Sequence, residues 1–470
     1  MPDERDKPIP TGRVRRTAKV GGLVGRQAAR SYATKAANLT RDDEARRRAA
    51  ERRQAEAAEQ IVEVLGQMKG AAMKIGQVAS FVDIAGMPPE VSERFQAKLA
   101  ELRDSAPQAS FKSMRKVVER DLGEPLEDAF AAFEPEPVAA ASIGQVYRAE
   151  LHDGRAVAVK VQYPGVATAV RADLQNLGLL LKAAKRMAPG LDARTVGEEI
   201  RERVSEELDY EHEAQAQRAI ARAWRRHPFI VVPDGVTSMS RERVLVTEWV
   251  EGARFDDVKG MARDERDRFG EILFRFFFGS FYRNGHFSGD PHPGNYFLLD
   301  DGRVAFLDFG LTKRVPISHV QAEMAVIRAG LEGDAEALYD GLVALGFYER
   351  GHARIEAVRL LEHVQLLQSW YADDAEFQLT REYVSNLLMQ AGDPRSDYWD
   401  QMREGTVPAD SLFARRMEGL TLGVLAQLGA TANWHRIMRE WLYRDPPSTP
   451  LGEEEAEWLR GRGRPARRAA

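Results

Sequence analysis

Two short segments in the second half of the chain carry the residue types that phosphoryl transfer from a nucleoside triphosphate requires. Gly289-Asp290-Pro291-His292-Pro293-Gly294-Asn295 is followed by Asp308-Phe309-Gly310, thirteen residues after the asparagine. Carboxylate and amide oxygens hold Mg²⁺ on the β- and γ-phosphates, and a further carboxylate orients the acceptor. Asp290, Asn295 and Asp308 supply these groups in the required order. The alternative is a Pro/Gly turn followed by an unrelated aspartate at the end of a strand.

The spacing of these residues matches the pattern of a kinase catalytic loop. Asn295 follows Asp290 by five positions, as in H-R-D-x-x-x-x-N, and a D-F-G comes after it. Upstream, Val157-Ala158-Val159-Lys160 has the form of the kinase strand whose lysine binds the α- and β-phosphates. The alternative is an ordinary exposed strand lysine, and the D-F-G downstream favours the functional interpretation. Its carboxylate partner must lie on the next long helix, where residues 207–213 offer several candidates.

The elements that must position these residues mix helices and strands, which predicts an α+β chain. Ser110 and Gly123 are the expected start and end signals of a helix. Residues 142–151 and 155–162 are expected to form a β-hairpin. The apolar stretch within residues 264–284 is too short and too interrupted to span a bilayer, so it predicts a core helix.

Composition narrows the classes of protein that this chain can belong to. Its 470 residues suggest two or three units, and the lack of cysteine excludes disulfides, thiolate zinc sites and a cysteine nucleophile. Neither an apolar run of eighteen residues nor a signal-peptide pattern is present, so we expect no membrane span and no secretion by a signal peptide.

The net charge of −5 hides an asymmetry, because a basic arm in residues 1–53 precedes an acidic body. The arm is expected either to bind an anionic membrane surface or lipid, or to be a solvated tail. Clustered basic residues also bind nucleic acids, but no aromatic platform interleaves these, so we expect no nucleic-acid partner.

Taken together, the motifs resemble those of the UbiB/aarF atypical kinases, a family whose mitochondrial members act in coenzyme Q biosynthesis. The resemblance covers about residues 61–310. It rests on four motifs, namely K-x-G-Q at Lys74-Ile75-Gly76-Gln77, an alanine-rich loop at Ala139 to Gln145, E-x-D at Glu207-Leu208-Asp209, and D-P-H-P-G-N with D-F-G at Asp290 to Asn295 and Asp308-Phe309-Gly310.

The resemblance implies a two-lobed, protein-kinase-like fold with extra N-terminal helices over the cleft and a helical C-terminal extension. It implies that Lys160 binds the phosphates of ATP, that Glu213 pairs with Lys160, and that Asp290 acts at the acceptor. Asn295 and Asp308 are the implied Mg²⁺ ligands. The remaining implied nucleotide contacts are the loop residues Ala139, Ala140, Ala141, Ser142 and Gly144 and the adenine-reading hinge residues Glu248 and Val250. The implied regulatory residues are Lys74, Gln77, Glu207 and Asp209, with the two acidic residues holding the K-x-G-Q helix in place.

The sequence departs from the related patterns at three places. The family usually has a histidine two positions before the catalytic-loop aspartate, where this chain has Ser288. Gly289 stands where ordinary kinases have the arginine that reads a phosphorylated activation loop, so control of that kind is not expected. Alanines replace the glycines of the phosphate loop, which should make the loop stiffer.

We therefore expect a Mg²⁺-dependent, ATP-binding atypical kinase or ATPase. It would support isoprenoid-quinone or other lipid metabolism as a cytoplasmic protein peripheral to the inner face of the membrane, and its expected partners include quinone-biosynthesis proteins. The alternatives are a nucleotide-gated scaffold without useful catalysis and, less favoured, an ordinary Ser/Thr protein kinase. The expected segments are a basic arm (1–55), a helical K-x-G-Q extension (56–135), an N-lobe (136–252), a C-lobe (253–445) and a disordered tail (446–470).

Overall fold

The computed structural model describes residues 109–141, 143–171, 174, 208–351, 356–392 and 404–462. The chain divides into two units. The first unit comprises Met1–Ala214 with Gly235–Trp249, and the second comprises Gln215–Asp234 with Val250–Ala470. Both helices and sheets are present, which confirms the predicted α+β class. The helices expected before residue 109 lie outside the described residues.

The described elements follow one another along the chain. Up to Glu248 they are α1 (Phe111–Leu122), α2 (Leu126–Ala129), β1 (Ala132–Phe133), β2 (Ala139–Ala141), β3 (Gly144–Glu150), β4 (Ala156–Gln162), α3 (Tyr210–Ala223), β5 (Ile230–Val231) and β6 (Val244–Glu248). After it come α4 (Phe255–Lys259), α5 (Arg263–Gly279), β7 (His286–Ser288), β8 (Tyr296–Leu298), β9 (Val304–Phe306), β10 (Thr312–Arg314), α6 (Ile317–Glu332), α7 (Ala335–Leu345), α8 (Ala357–Gln368), β11 (Phe377–Gln378), α9 (Arg381–Gly392), α10 (Ala409–Leu428), β12 (Thr431–Ala432), α11 (Trp434–Leu442) and α12 (Pro450–Arg462).

An antiparallel sheet with the order β1-β3-β4-β6, and with β2 paired to β3, organises the first unit. Val157, Val159 and Val161 alternate along the central strand β4 and are fully buried, as expected for a strand with one covered face. The same core contains the buried face of α1. The predicted hairpin of β3 and β4 is confirmed by continuous pairing from Gly144–Gln162 to Glu150–Ala156.

The predicted ends of α1 are also confirmed. Ser110 accepts a hydrogen bond at its Oγ from the main-chain N–H of Ser113 at 3.3 Å, which satisfies a donor of the first turn. Gly123 adopts a φ of 81°, the left-handed conformation that commonly ends a helix at glycine.

Helix α5 forms the centre of the second unit. Its residues from Phe269 to Gly279 are all buried, so the predicted core helix is confirmed. The helix continues as a π-helical turn, Ser280–Asn284, that ends at Gly285 in the left-handed conformation. Among the described residues, none of the helices has the length and apolar character needed to cross a bilayer.

Two small sheets of the second unit carry the segments predicted to do chemistry. β7 and β10 pair antiparallel, with Ser288 opposite Thr312. β8 and β9 form an antiparallel hairpin, and β5 joins β9 in parallel. These pairings bring the loop after Ser288 and the loop before Thr312 to neighbouring strand ends.

The prediction of a disordered tail over residues 446–470 is wrong for Pro450–Arg462, which is a helix with Leu451, Gly452 and Glu455 on a buried face. Residues 111–129, within the predicted helical extension, pack in the core of the first unit through the apolar face of α1.

Candidate nucleotide-binding residues

Lys160 lies near the middle of β4 and forms an ion pair with Glu213 of α3. Its Nζ is 3.0 and 3.3 Å from the two carboxylate oxygens, and it also lies 4.9 Å from the ring centre of Tyr210. The side chain of Glu213 is 3% exposed and that of Lys160 is 21% exposed. The predicted partner of the lysine is thus in contact with it, and the lysine remains accessible to a solvent-borne anion.

Two polar residues fix the start of α3 and so the position of Glu213. Asp209 accepts hydrogen bonds at Oδ1 from the main-chain N–H groups of Glu211 and His212, at 3.0 and 3.2 Å. Gln162 is buried and donates its amide Nε2 to the carbonyl of Leu208 at 2.8 Å. This role of Gln162 was not predicted from the sequence. The signal that could have indicated it is a glutamine on an otherwise apolar strand, two positions after Lys160.

The alanine-rich segment forms the edge strand β2, which folds back on β3. Ala139 pairs with Val146 and Ala141 pairs with Gly144, so the loop is a tight hairpin rather than an open glycine-rich loop. A Cβ on Gly144 would lie 2.1 Å from the carbonyl oxygen of Val161, which explains why only glycine fits there. Ala140 is exposed, and Ser142 lies outside the described residues.

The predicted hinge follows β6. Glu248 is the last residue of that strand, and the N–H of Trp249 donates to the carbonyl of Ala156 at 3.0 Å. The division between the two units falls between Trp249 and Val250. The hinge assignment for Glu248 and Val250 stays a prediction.

In the second unit, Asp290 and Asn295 are in direct contact. Asn295 donates its side-chain Nδ2 to the main-chain oxygen and to the Oδ2 of Asp290, at 3.2 and 3.1 Å. Its own main-chain oxygen accepts from the N–H of Leu307 at 2.8 Å, which joins the loop to the segment before Asp308. Because the amide nitrogen is used in this way, the amide oxygen is the Asn295 atom suited to bind a cation.

Asp308 is connected to Asp290 through Ser288. The Oγ of Ser288 accepts from the N–H of Asp290 at 3.4 Å and donates to the carbonyl of Asp308 at 3.5 Å, both at the long end of hydrogen-bond distances. Asp308 accepts from the N–H of Gly310 at 3.0 Å. Ser288, flagged in the sequence only as a departure, therefore bridges the two acidic segments.

Tyr296 contacts this loop from the interior of the second unit. It is fully buried, and its phenol donates to the carbonyl of Pro291 at 3.5 Å. Burial and the charge of Asp290 raise the pKa of Tyr296 well above its ordinary value. The phenol therefore stays protonated at neutral pH and supports the loop.

The donor set of the second unit suits Mg²⁺. The set consists of the Asp308 carboxylate and the Asn295 amide oxygen, and Mg²⁺ in phosphoryl-transfer sites is usually held by one or two such protein groups together with the substrate phosphates. Of the predicted regulatory residues, only Asp209 is within the described part of the chain. Lys74, Gln77 and Glu207 lie outside it, so their roles stay predictions.

Comparison with known proteins identifies the class to which these residues belong. The family model described as "ABC1 atypical kinase-like domain" matches residues 101–341. A solved structure from Mycobacterium tuberculosis, a complex of Rv3197 with erythromycin, superposes with a TM-score of 0.61 and is 33% identical, covering 82% of this chain and 95% of that one. The chain belongs to the ABC1 atypical kinase-like family, and its fold is kinase-like.

Several curated relatives carry related names. "Atypical kinase COQ8B, mitochondrial" from Rattus norvegicus is 33% identical over 65% of this chain and 58% of its own length. "Atypical kinase coq-8, mitochondrial" from Caenorhabditis elegans is 28% identical over 82% of this chain and 51% of its own length. The chain thus spans little more than half the length of each of these two relatives. These findings confirm the UbiB/aarF resemblance.

Proposed function

We propose that the chain is a Mg²⁺-dependent, ATP-binding atypical kinase or ATPase. The observation that carries this proposal is the arrangement of Asp290, Asn295 and Asp308 in the second unit. Asn295 donates directly to the carboxylate of Asp290, and Ser288 joins the main chain of Asp290 to that of Asp308. The Lys160–Glu213 ion pair of the first unit supports it, because a lysine held by a buried carboxylate is the usual ligand of nucleotide phosphates.

Each residue has its own part in the proposed reaction. Lys160 binds the α- and β-phosphates, and Glu213 keeps its ammonium group in place. Asn295 and Asp308 hold Mg²⁺, which neutralises charge on the phosphates when it is bound. Asp290 orients the acceptor, a hydroxyl group or a water molecule, and accepts its proton as the γ-phosphoryl group is transferred.

The proposed setting is isoprenoid-quinone or other lipid metabolism at a membrane surface. It rests on the COQ8 names of two relatives, on the family resemblance and on the basic arm. Lys74 and Gln77 are proposed to regulate nucleotide handling. The hairpin form of the alanine-rich loop supports a phosphate grip that differs from that of ordinary protein kinases.

Steady-state ATP turnover tests the proposal. We expect Mg²⁺-dependent ADP release that rises when anionic vesicles containing an isoprenoid quinone precursor are added, and that falls by about 100-fold or more in Asp290→Asn. An Asp256→Asn variant, at an exposed position of α4, serves as the control. Tight Mg-ATP binding without turnover under any of these conditions would favour the scaffold alternative and contradict the enzyme assignment.

A further inference from the structure

We infer that Phe413 and Arg416, on the first two turns of α10, are positioning residues for the catalytic loop that contains Asp290. The inference deepens the proposed function, on which it rests, by assigning α10 to the alignment of the catalytic aspartate. The helix lies more than a hundred residues further along the chain, and none of the recognised motifs includes it.

Gly289 is the point of contact between α10 and the loop. Arg416 donates its Nη1 to the carbonyl oxygen of Gly289 at 2.7 Å. The N–H of Gly289 donates to the carbonyl of Leu311 at 2.8 Å. The main chain of the residue before Asp290 is thus held from one side by α10 and from the other by the segment that follows the D-F-G.

The ring of Phe413 explains why the residue at position 289 must be glycine. A Cβ on Gly289 would lie 2.3 Å from the ring of Phe413, far inside van der Waals contact. Phe413 is 4% exposed and packs on Phe287 of β7, with ring centres 5.5 Å apart. The ring therefore occupies the space that the side chain of an ordinary kinase arginine at position 289 would need.

The start of α10 is itself firmly attached to the elements around the loop. Asp410 forms an ion pair with Lys313 of β10 at 3.2 Å. Ser411 is fully buried and lies 3.1 Å from the Nε2 of His319 in α6. Arg415 pairs with Glu323 of α6 at 2.8 Å. A rigid support of this kind is what a positioning residue requires, because displacement of a catalytic group by about 1 Å can lower the rate about 100-fold.

The experiment compares Arg416→Ala with Arg436→Ala in the full-length protein. Arg436 lies on α11, its side chain is 56% exposed, and its ion pair is with Asp374 instead of the loop. Amide hydrogen exchange over residues 286–296 is measured without nucleotide, and ATP turnover is measured beside it. We expect Arg416→Ala to exchange about tenfold faster in this segment and to lose about tenfold in kcat with an unchanged KM for ATP. Arg436→Ala should leave exchange in the segment at the wild-type rate, and Arg416→Lys should restore part of the turnover.

A second pair of variants keeps the test decisive if Arg416→Ala does not fold. Gly289→Ala should accelerate exchange of the loop when Phe413 is present. Adding Phe413→Ala to this variant should relieve much of that effect, because it removes the clashing ring. The inference would be overturned if the loop of Arg416→Ala exchanged at the wild-type rate. It would also be overturned if Gly289→Ala accelerated exchange equally in the presence of Phe413 and in Phe413→Ala. Absence of ATP turnover in the wild type would instead contradict the proposed function, since the exchange measurements do not depend on nucleotide.

Discussion

At the scale of single residues, the Lys160–Glu213 pair is asymmetric in its contact with water. Glu213 is 3% exposed, whereas Lys160 is 21% exposed. A carboxylate buried to this extent depends on nearby cations and donors for its stability. The same lysine is therefore expected to contribute both to folding and to nucleotide binding, and the two contributions can be separated.

Lys160→Ala is expected to lower the affinity for Mg-ATP about 10- to 100-fold, because it removes a charged hydrogen-bond donor to the phosphates. It should also lower the free energy of unfolding by about 1 to 3 kcal/mol, because Glu213 loses a cation. Adding Glu213→Gln should recover part of the stability but none of the affinity. Calorimetric binding and urea unfolding measure the two effects, with the exposed Lys112→Ala as control. Unaltered affinity in Lys160→Ala would remove the lysine from its proposed role.

Local motifs explain which residues could be predicted. Lys160, Asp290, Asn295 and Asp308 each stand in a short pattern whose chemistry is readable from the sequence. Glu213 could be selected from the neighbouring carboxylates only through the family resemblance. The hydrogen bonds by which Ser288 joins the two acidic segments could not be predicted. They depend on the pairing of β7 with β10, whose residues are separated by more than twenty positions.

At the scale of elements, α12 is the part of the chain for which composition was misleading. It falls within the segment 446–470 that was predicted to be disordered, yet Glu455 is fully buried and pairs with Arg275 at 2.9 Å and with Arg283. Trp458 stacks on Trp224 with ring centres 5.9 Å apart. The partners of Glu455 precede it by more than 170 positions, so no local pattern could have predicted that this carboxylate is buried and paired.

The protonation of His227 follows from its neighbours. Its Nδ1 accepts from the N–H of Ile230 at 3.1 Å, so the proton of the neutral ring lies on Nε2, which faces Glu455 at 3.6 Å. Burial lowers the pKa of His227 below its ordinary value. Burial alone would raise the pKa of Glu455, but His227, Arg283 and Arg275 outweigh it and lower that pKa to about 2.

Glu455→Gln is expected to lower the free energy of unfolding at pH 7 by about 3 to 5 kcal/mol, because it leaves buried cations without their partner. A carboxylate with a depressed pKa stabilises the fold above its unfolded pKa, and this stabilisation is lost as the pH falls. The difference between wild type and variant should therefore shrink from about pH 4.5, the ordinary value, and vanish near pH 2. Urea unfolding across this range measures it, with the exposed Glu457→Gln as control. A difference that does not change with pH would contradict the charge assignment.

At the scale of the whole molecule, the sequence separates a basic arm from an acidic body, and the arm lies outside the described residues. Eight Lys and Arg residues stand between positions 11 and 41, where no carboxylate opposes them. Each basic residue near an anionic surface contributes about 1 kcal/mol to binding. We expect the chain to attach to the membrane through this arm.

Co-sedimentation with vesicles tests this attachment. The full chain should pellet with anionic vesicles at low salt and be released as salt is raised, because the attraction is screened. Deletion of residues 11–41 should abolish pelleting, whereas deletion of residues 463–470, which removes three arginines, should leave most of it. Equal pelleting of the full chain and the arm deletion would move the membrane-binding role to another surface.

The measurement that tests the central claim most directly is calorimetric binding of ATP with and without Mg²⁺. Asp308→Asn removes the carboxylate proposed to hold Mg²⁺ while it keeps the shape of the side chain. Asp301→Asn is the matched control, because Asp301 is an exposed aspartate in the β8–β9 turn that pairs with Arg303. We predict Mg²⁺-dependent binding in the wild type and in Asp301→Asn, and a loss of about tenfold or more in Asp308→Asn. Equal Mg²⁺-dependent affinity in all three proteins would contradict the account.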